Sequence, residues 1–322
     1  MTPRQLGPSD LHLTPVGLGT WAMRGGNWKA SWGPQDDDAS VATIHAALDG
    51  GINWIDTAPV YGLGHAEDVV GRALKSWSGA KPLVATKCGR AWRADRRDVI
   101  DPVLNGDAIL TECEASLRRL GVDTLDLYQI HWPKPDEKIE EAWGAIAQLV
   151  SQGKVRHAGL SNFSVAQLER VGAIHPVTSL QPQYNLLQRQ IEADVLPHCR
   201  AQNIGVVGYS TMAKGLLTGK VTADWVQALP PDDHRRRDGL YQPEAMAGFA
   251  APLKAFESLA ADKGISPAQL AVAWSFHQPG LTSAIAGARR PDQIAPLAAA
   301  MHTTLTEAEL GLLDALFPTP TV

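Results

Sequence analysis

From residue 16 onward, short runs of Val, Ile and Leu alternate with longer stretches whose apolar residues recur every three or four positions. The short runs lie at 16–19, 53–56, 83–87, 125–131, 157–161, 179–183, 205–209 and 283–286. Unbroken apolar runs of this length read as parallel strands covered on both faces. The stretches between them carry helix signals: 38–49 closes on Gly50-Gly51, 107–120 starts behind Asn105 and ends at Gly121, and 139–152 ends at Gly153. Further helices are predicted at 165–171, 192–202, 247–263, 267–277 and 291–300, and the capping box of Thr306 and Glu309 announces a last one. Eight strands with intervening helices predict an α/β fold, a (β/α)8 TIM barrel forming one domain over 1–322. Two separate domains would need a Pro/Gly/Ser-rich linker near the middle, where 139–210 instead keep the strand–helix rhythm.

Two segments stand outside that rhythm. Residues 4–6 and 11–13, around Gly7-Pro8-Ser9-Asp10, read as an N-terminal hairpin able to plug the barrel bottom. Residues 229–245 carry three prolines and a run of charge, follow the seventh strand, and read as a long mobile loop, either a solvated insertion or part of the site. Of the 322 residues 44% are hydrophobic and 20% charged, which excludes disorder and coiled coils. With 29 Lys+Arg against 34 Asp+Glu the net charge is −5, so nucleic acid and anionic membrane are not expected partners. Cys88, Cys113 and Cys199 are too few for a disulfide framework, no histidines show ligand spacing, and no metal is expected. The first residues lack a hydrophobic signal core, so a cytoplasmic protein acting on a small molecule is expected, its oligomeric state left open.

Barrel chemistry gathers at the C-terminal ends of the strands. Asp56, Lys87 and His131 end apolar runs there, and Tyr61 lies five residues beyond Asp56. Singly, each has a plain structural role: a turn cap, a solvated strand end, a core imidazole, a packed ring. Together, a phenol, an ammonium, a carboxylate and an imidazole make a proton-donating unit.

These residues, in Asp56-Thr57-Ala58-Pro59-Val60-Tyr61-Gly62, Lys87 and His131-Trp132-Pro133, resemble the tetrad of the aldo-keto reductase superfamily. The likeness extends through Gly153-Lys154-Val155-Arg156-His157-Ala158-Gly159-Leu160-Ser161-Asn162-Phe163, Gln181-Pro182-Gln183-Tyr184-Asn185, Gly208-Tyr209-Ser210 and Gly287-Ala288-Arg289-Arg290-Pro291-Asp292-Gln293. It implies a TIM-barrel oxidoreductase using NADPH, as in the bacterial members. Thr211-Met212 departs from the usual Pro-Leu after Tyr-Ser, and 229–245 matches no family pattern, which leaves the substrate open. Carbonyl reduction puts negative charge on oxygen and needs a proton. Lys87 is expected to lower the Tyr61 pKa toward working pH, Asp56 to hold that ammonium, and neutral His131 to orient the carbonyl.

For the nicotinamide, Ser161, Asn162 and Gln181 offer donors and acceptors, and Tyr209 a ring to stack. For the phosphates, Arg289 and Arg290 stand where a helix starts at Pro291, which favours NADPH, although such arginines are often merely solvated. Lys214 and Lys220 are candidate pyrophosphate contacts. The resemblance adds Gly19, Thr20, Trp21, Ser210, Gly287 and Gln293 to the cofactor set. Gly17-Leu18-Gly19-Thr20-Trp21-Ala22 fits a dinucleotide fingerprint but lacks the helix that must follow, and Gly215 to Lys220 is one residue short of a P-loop. Five of the ten tryptophans, Trp21, Trp28, Trp32, Trp92 and Trp132, fall in loops at the expected mouth, and Trp21, Trp92 and Trp132 are taken as a substrate wall. The expected activity is NADPH-dependent reduction of aldehydes or ketones. The alternatives are an NAD-dependent sugar dehydrogenase and an NADPH-sensing regulatory subunit.

Overall fold

The computed structural model describes residues 2–25, 34–93, 96–231 and 233–319. Strands β1 (Arg4–Gln5) and β2 (His12–Leu13) form the expected antiparallel hairpin. The barrel strands are β3 (Val16–Gly19), β4 (Trp54–Asp56) and β5 (Leu83–Cys88), then, after a second hairpin of β6 (Arg90–Arg93) and β7 (Arg96–Pro102), β8 (Leu125–Ile130), β9 (Val155–Ser161), β10 (Ser179–Gln181), β11 (Gly205–Gly208) and β12 (Leu281–Gly287). All eight pair in parallel, and β12 returns to β3 with Ala284 opposite Val16 and Gly287 opposite Gly19, so the barrel closes.

Helices α1 (Asp37–Asp49), α2 (His65–Ser76), α3 (Gly106–Leu120), α4 (Ile139–Ser151), α5 (Val165–Gly172), α6 (Val195–Ala201), α7 (Ala223–Gln227), α8 (Pro243–Asp262), α9 (Pro267–His277), α10 (Ile294–Ala300) and α11 (Glu307–Leu316) accompany the strands. Side-chain caps fix several starts: Asp36 accepts from Ala39 N at 2.7 Å and Asn105 from Ala108 N at 2.8 Å, while Ser164 and Thr306 sit in capping boxes. Outside the strands, Ile44, Val70, Trp143, Ile146 and Phe276 join the main core.

Inside the barrel the layers change character from bottom to top. Trp54, Ala85, Leu127, Val207 and Ile285 form an apolar floor sealed by Leu6, Leu11 and Leu13 of the N-terminal hairpin. Gly17 is required by this floor, because a Cβ there would lie 2.0 Å from the Trp54 ring. Above it the inward positions turn polar, with Asp56, Lys87, Gln129 and Gln181 all buried.

Several sequence expectations need correction. Helices α2 and α7 and the hairpin β6–β7 are not among the expected elements, and the helix expected at 192–202 is a 3-10 turn, Gln190–Glu192, followed by α6. The helix expected at 291–300 begins as a 3-10 turn, Pro291–Gln293, and becomes α-helical only at Ile294. The segment after the seventh strand is a long loop with local order among its described residues: Asp233 and Asp238 cap two 3-10 turns, His234–Arg237 and Gly239–Tyr241, and α8 starts at Pro243. Tyr241 is buried and donates to Lys214 O at 2.9 Å, which docks this strap on the segment after β11. Trp28, Trp32 and Asp232 lie outside the described residues. Among the described residues no helix is long and apolar enough to cross a membrane.

Candidate active site

Strand period places the key groups. Asp56 is the last residue of β4, Lys87 the last but one of β5, and His131 immediately follows β8. Tyr61 is held by a tight turn after β4: its N–H donates to Ala58 O at 3.0 Å and its carbonyl accepts from Ala66 N at 3.1 Å. Gly62 (φ 68°) is needed in that turn, since a Cβ would come within 2.1 Å of Arg24 O.

The four side chains converge as expected. Lys87 Nζ lies 2.8 and 2.7 Å from the Asp56 oxygens, 3.0 Å from Thr57 O and 3.2 Å from Tyr61 Oη. Lys87 is 0% exposed, Asp56 3% and Tyr61 8%, so the pair is screened from water. The Tyr61 and His131 rings meet edge to face with centroids 5.9 Å apart. Burial disfavours the charge on Lys87, but the Asp56 carboxylate outweighs it and holds the ammonium above its ordinary range. Burial pushes His131 well below its ordinary range, helped by the charges of Lys87 and Arg90, so the imidazole is neutral. For Tyr61 the expected sign is corrected: burial raises its pKa by more than Lys87 lowers it. The phenol therefore stays protonated at neutral pH.

A second arc of polar groups runs over β9 to β12. Asn162 (φ 64°) donates to His131 O and Ser161 Oγ, both at 3.0 Å, and accepts from Tyr209 Oη at 2.9 Å. Ser161 Oγ donates to Gln181 O at 2.8 Å. Gln181, expected at a carboxamide, directs Nε2 to Asp56 Oδ1 at 2.8 Å and so braces the Asp56–Lys87 pair. Ser210 (φ 61°) buries a hydroxyl that has no hydrogen-bond partner among the described residues. That orphaned group, next in the chain to Tyr209, whose hydroxyl is fixed on Asn162 Oδ1, fits a polar planar ligand such as nicotinamide. Thr20 Oγ1 donates to Asp56 O at 3.1 Å and Gly19 pairs with Gly287, so this seam shapes the mouth through its backbone.

The expected phosphate site is more occupied than the sequence suggested. Gln293 Oε1 accepts from Arg289 N at 2.7 Å and Arg290 N at 3.2 Å, taking the donors ahead of the turn. Arg289 donates to Gln35 Oε1 at 2.8 Å and to Pro34 O at 2.6 Å, whereas exposed Arg290 pairs with Asp292 at 3.0 Å. Lys220, also exposed, is close enough for its charge to act on Asp292.

Trp21, Trp92 and Trp132 are all half-buried. Trp21 packs with Ile100 of β7 on the cluster that contains Tyr61, and Trp132 faces Arg90. Sequence reasoning missed Arg24, buried and stacked 3.4 Å over Trp21, and His234 of the strap, 5.0 Å from the same ring. It also missed Gln129, whose Oε1 lies 3.4 Å from Gln181 Nε2. Only the inward phase of β8 signals Gln129, and nothing local signals the other two.

A closed eightfold barrel with a buried Asp–Lys–Tyr group and an adjacent imidazole at its mouth defines a class of carbonyl-reducing barrels. The family model for the aldo/keto reductase family matches residues 15–317, and the chain belongs to that family. It is 37% identical over 303 residues to aldo-keto reductase YhdN of Bacillus subtilis, covering 94% of this chain and 89% of that one. It is 35% identical over 321 residues to the NADH-specific methylglyoxal reductase of Escherichia coli, covering 96% of each. Among solved structures, the glycerol dehydrogenase AKR11B4 of Gluconobacter oxydans superposes with a TM-score of 0.89 at 40% identity, covering 100% of this chain and 97% of that one. An aldo/keto reductase of Klebsiella pneumoniae holding NADP and acetate gives 0.75 at 30%, covering 100% and 98%. The family uses nicotinamide cofactors.

Proposed function

We propose that this chain is an NADPH-dependent reductase of aldehydes and ketones, able to run in the alcohol-oxidising direction, with Tyr61 as proton donor. The contact of Lys87 Nζ with Tyr61 Oη at 3.2 Å, clamped by Asp56, carries the reading. When bound, the reduced nicotinamide supplies hydride to the carbonyl carbon. Ser161, Asn162, Tyr209 and Ser210 would hold its ring, with Gly19, Thr20, Trp21, Lys220, Gly287, Arg289, Arg290 and Gln293 along the rest of the cofactor. Neutral His131 orients the carbonyl oxygen, and Tyr61 passes its proton to the alkoxide as charge develops. The phenolate left behind is stabilised by Lys87, and because Lys87 is anchored beforehand its charge needs no reorganisation. Trp21, Trp92 and Trp132 would wall the substrate.

A second reading, NADH as the working cofactor, is favoured by the Arg290–Asp292 pair and by the NADH-specific name of the Escherichia coli relative. The Tyr61→Phe variant tests the shared chemistry. Removing a positioned acid costs about 10²–10⁴-fold, so kcat for carbonyl reduction should fall by that order while cofactor binding by fluorescence titration stays intact. More than half the wild-type kcat, with chemistry limiting, would remove Tyr61 from the mechanism.

A further inference from the structure

Deepening the reductase reading and resting on it, we infer that Arg90 determines specificity by binding an anionic group, carboxylate or phosphate, carried by the carbonyl substrate. Arg90 opens β6 three residues past Lys87, where Gly89 turns the chain off the end of β5. Its backbone is fixed by pairing with Pro102 and by Glu112, whose carboxylate accepts from Gly89 N at 3.0 Å. The guanidinium carbon lies 5.8 Å from the centre of the Trp132 ring, and Trp132 is the residue after His131. Burial lowers the pKa of Arg90, and among the described residues no carboxylate lies within ion-pair distance of it. A partly desolvated guanidinium with no acid beside it among the described residues is an unfavourable state that an incoming anion relieves. Its planar fork matches carboxylate and phosphate oxygens.

Three other cations at this end of the barrel are paired: Lys87 with Asp56, Arg235 with Asp233, and Lys214 with Asp238. The position also separates Arg90 from cofactor phosphates. The polar arc assigned to the nicotinamide stands on β9 to β11 and the arginines on β12, whereas Arg90 extends β5, on the side of Tyr61 and His131. Its charge acts on the His131 ring, so an anion held there would lie on the His131 side of the mouth.

The test uses two matched pairs, butanal with 4-oxobutanoate and glyceraldehyde with glyceraldehyde 3-phosphate, assayed with wild type, Arg90→Met and Arg90→Lys. One charge-assisted hydrogen bond is worth about 10- to 100-fold. In at least one pair, wild-type kcat/KM for the anion should exceed that for its neutral partner by about tenfold or more after allowing for intrinsic reactivity. Arg90→Met, which keeps an unbranched apolar side chain without the charge, should collapse that ratio, and Arg90→Lys should retain part of it. The responding pair distinguishes carboxylate from phosphate. The inference is overturned if neither pair shows the preference or if Arg90→Met keeps it. Should none of the four carbonyls turn over, the reductase reading fails by itself. Succinate and inorganic phosphate titrated against tryptophan fluorescence then decide the anion site: a response lost in Arg90→Met supports it, and an equal or absent response overturns it.

Discussion

At Lys87 burial and charge oppose each other directly, and the balance differs on its two sides. Toward Asp56 the attraction wins and the ammonium stays charged; toward Tyr61 burial wins and the phenol stays protonated. Proton donation needs both outcomes, because the acid must reach the carbonyl with its proton and lose it only when the alkoxide forms. The arginines after β12 show the opposite case, where an exposed charge carries little energy. Arg290 already has Asp292, and water and salt screen both. If they read the 2′-phosphate of NADPH, the double variant Arg289→Ala with Arg290→Ala should weaken NADPH by about 10- to 30-fold, the low end for charge-assisted bonds. NADH should change by no more than about twofold, since it lacks that phosphate. Paired titrations decide it, and equal losses for both cofactors would mean that Arg289 only tethers the 34–35 segment through Gln35 and Pro34.

At the scale of elements, α3 and the β6–β7 hairpin are joined through one carboxylate. Glu112 of α3 accepts from the hairpin root, and burial raises its pKa from 4.5 to about 7 despite those bonds and Arg119, with Glu67 of α2 adding to the rise. A carboxyl that binds its proton more tightly folded than unfolded favours the native state at low pH. That contribution is fully present below about 4.5 and is lost as pH rises through about 7. It amounts to about 3 kcal/mol. Glu112→Gln should therefore flatten the stability loss between pH 5 and pH 7, with urea midpoints closest to wild type at the acid end; parallel profiles would remove Glu112 as its source. This hairpin also marks where the sequence stopped being legible. The barrel strands announced themselves because burial on both faces favours short runs rich in Val, Ile and Leu, and their ends put Asp56, Lys87 and His131 in view. Helix α2 starts at Gly64 in the left-handed region with no side-chain cap, so it lacked a start signal. The hairpin is rich in arginine and aspartate, with neither alternation nor a glycine turn to betray it. The strap at 233–241 was hidden by the prolines that flank it, Pro230, Pro231 and Pro243, because its order comes from Tyr241 docking on a distant carbonyl.

The whole molecule divides along the barrel axis into an apolar floor that holds the strands together and a polar mouth that does the chemistry. Leu6 shows the division most sharply: it is 0% exposed, packs with Trp54, Leu127 and Val207, and lies at the opposite end of the strands from Tyr61. Cutting it to alanine removes apolar contact and leaves a cavity that the rigid barrel wall cannot collapse to fill, a change that costs about 2–5 kcal/mol in comparable cores. The polar layer of Asp56, Lys87, Gln129 and Gln181 stands between that cavity and the mouth, and its hydrogen bonds do not involve the hairpin. Leu6→Ala should therefore lower the urea midpoint by the equivalent of that loss while kcat/KM at 25 °C stays within about twofold of wild type. A stability loss together with a tenfold loss of kcat/KM, in protein shown to be folded, would mean that the floor also sets the geometry of the mouth and that the two ends are coupled.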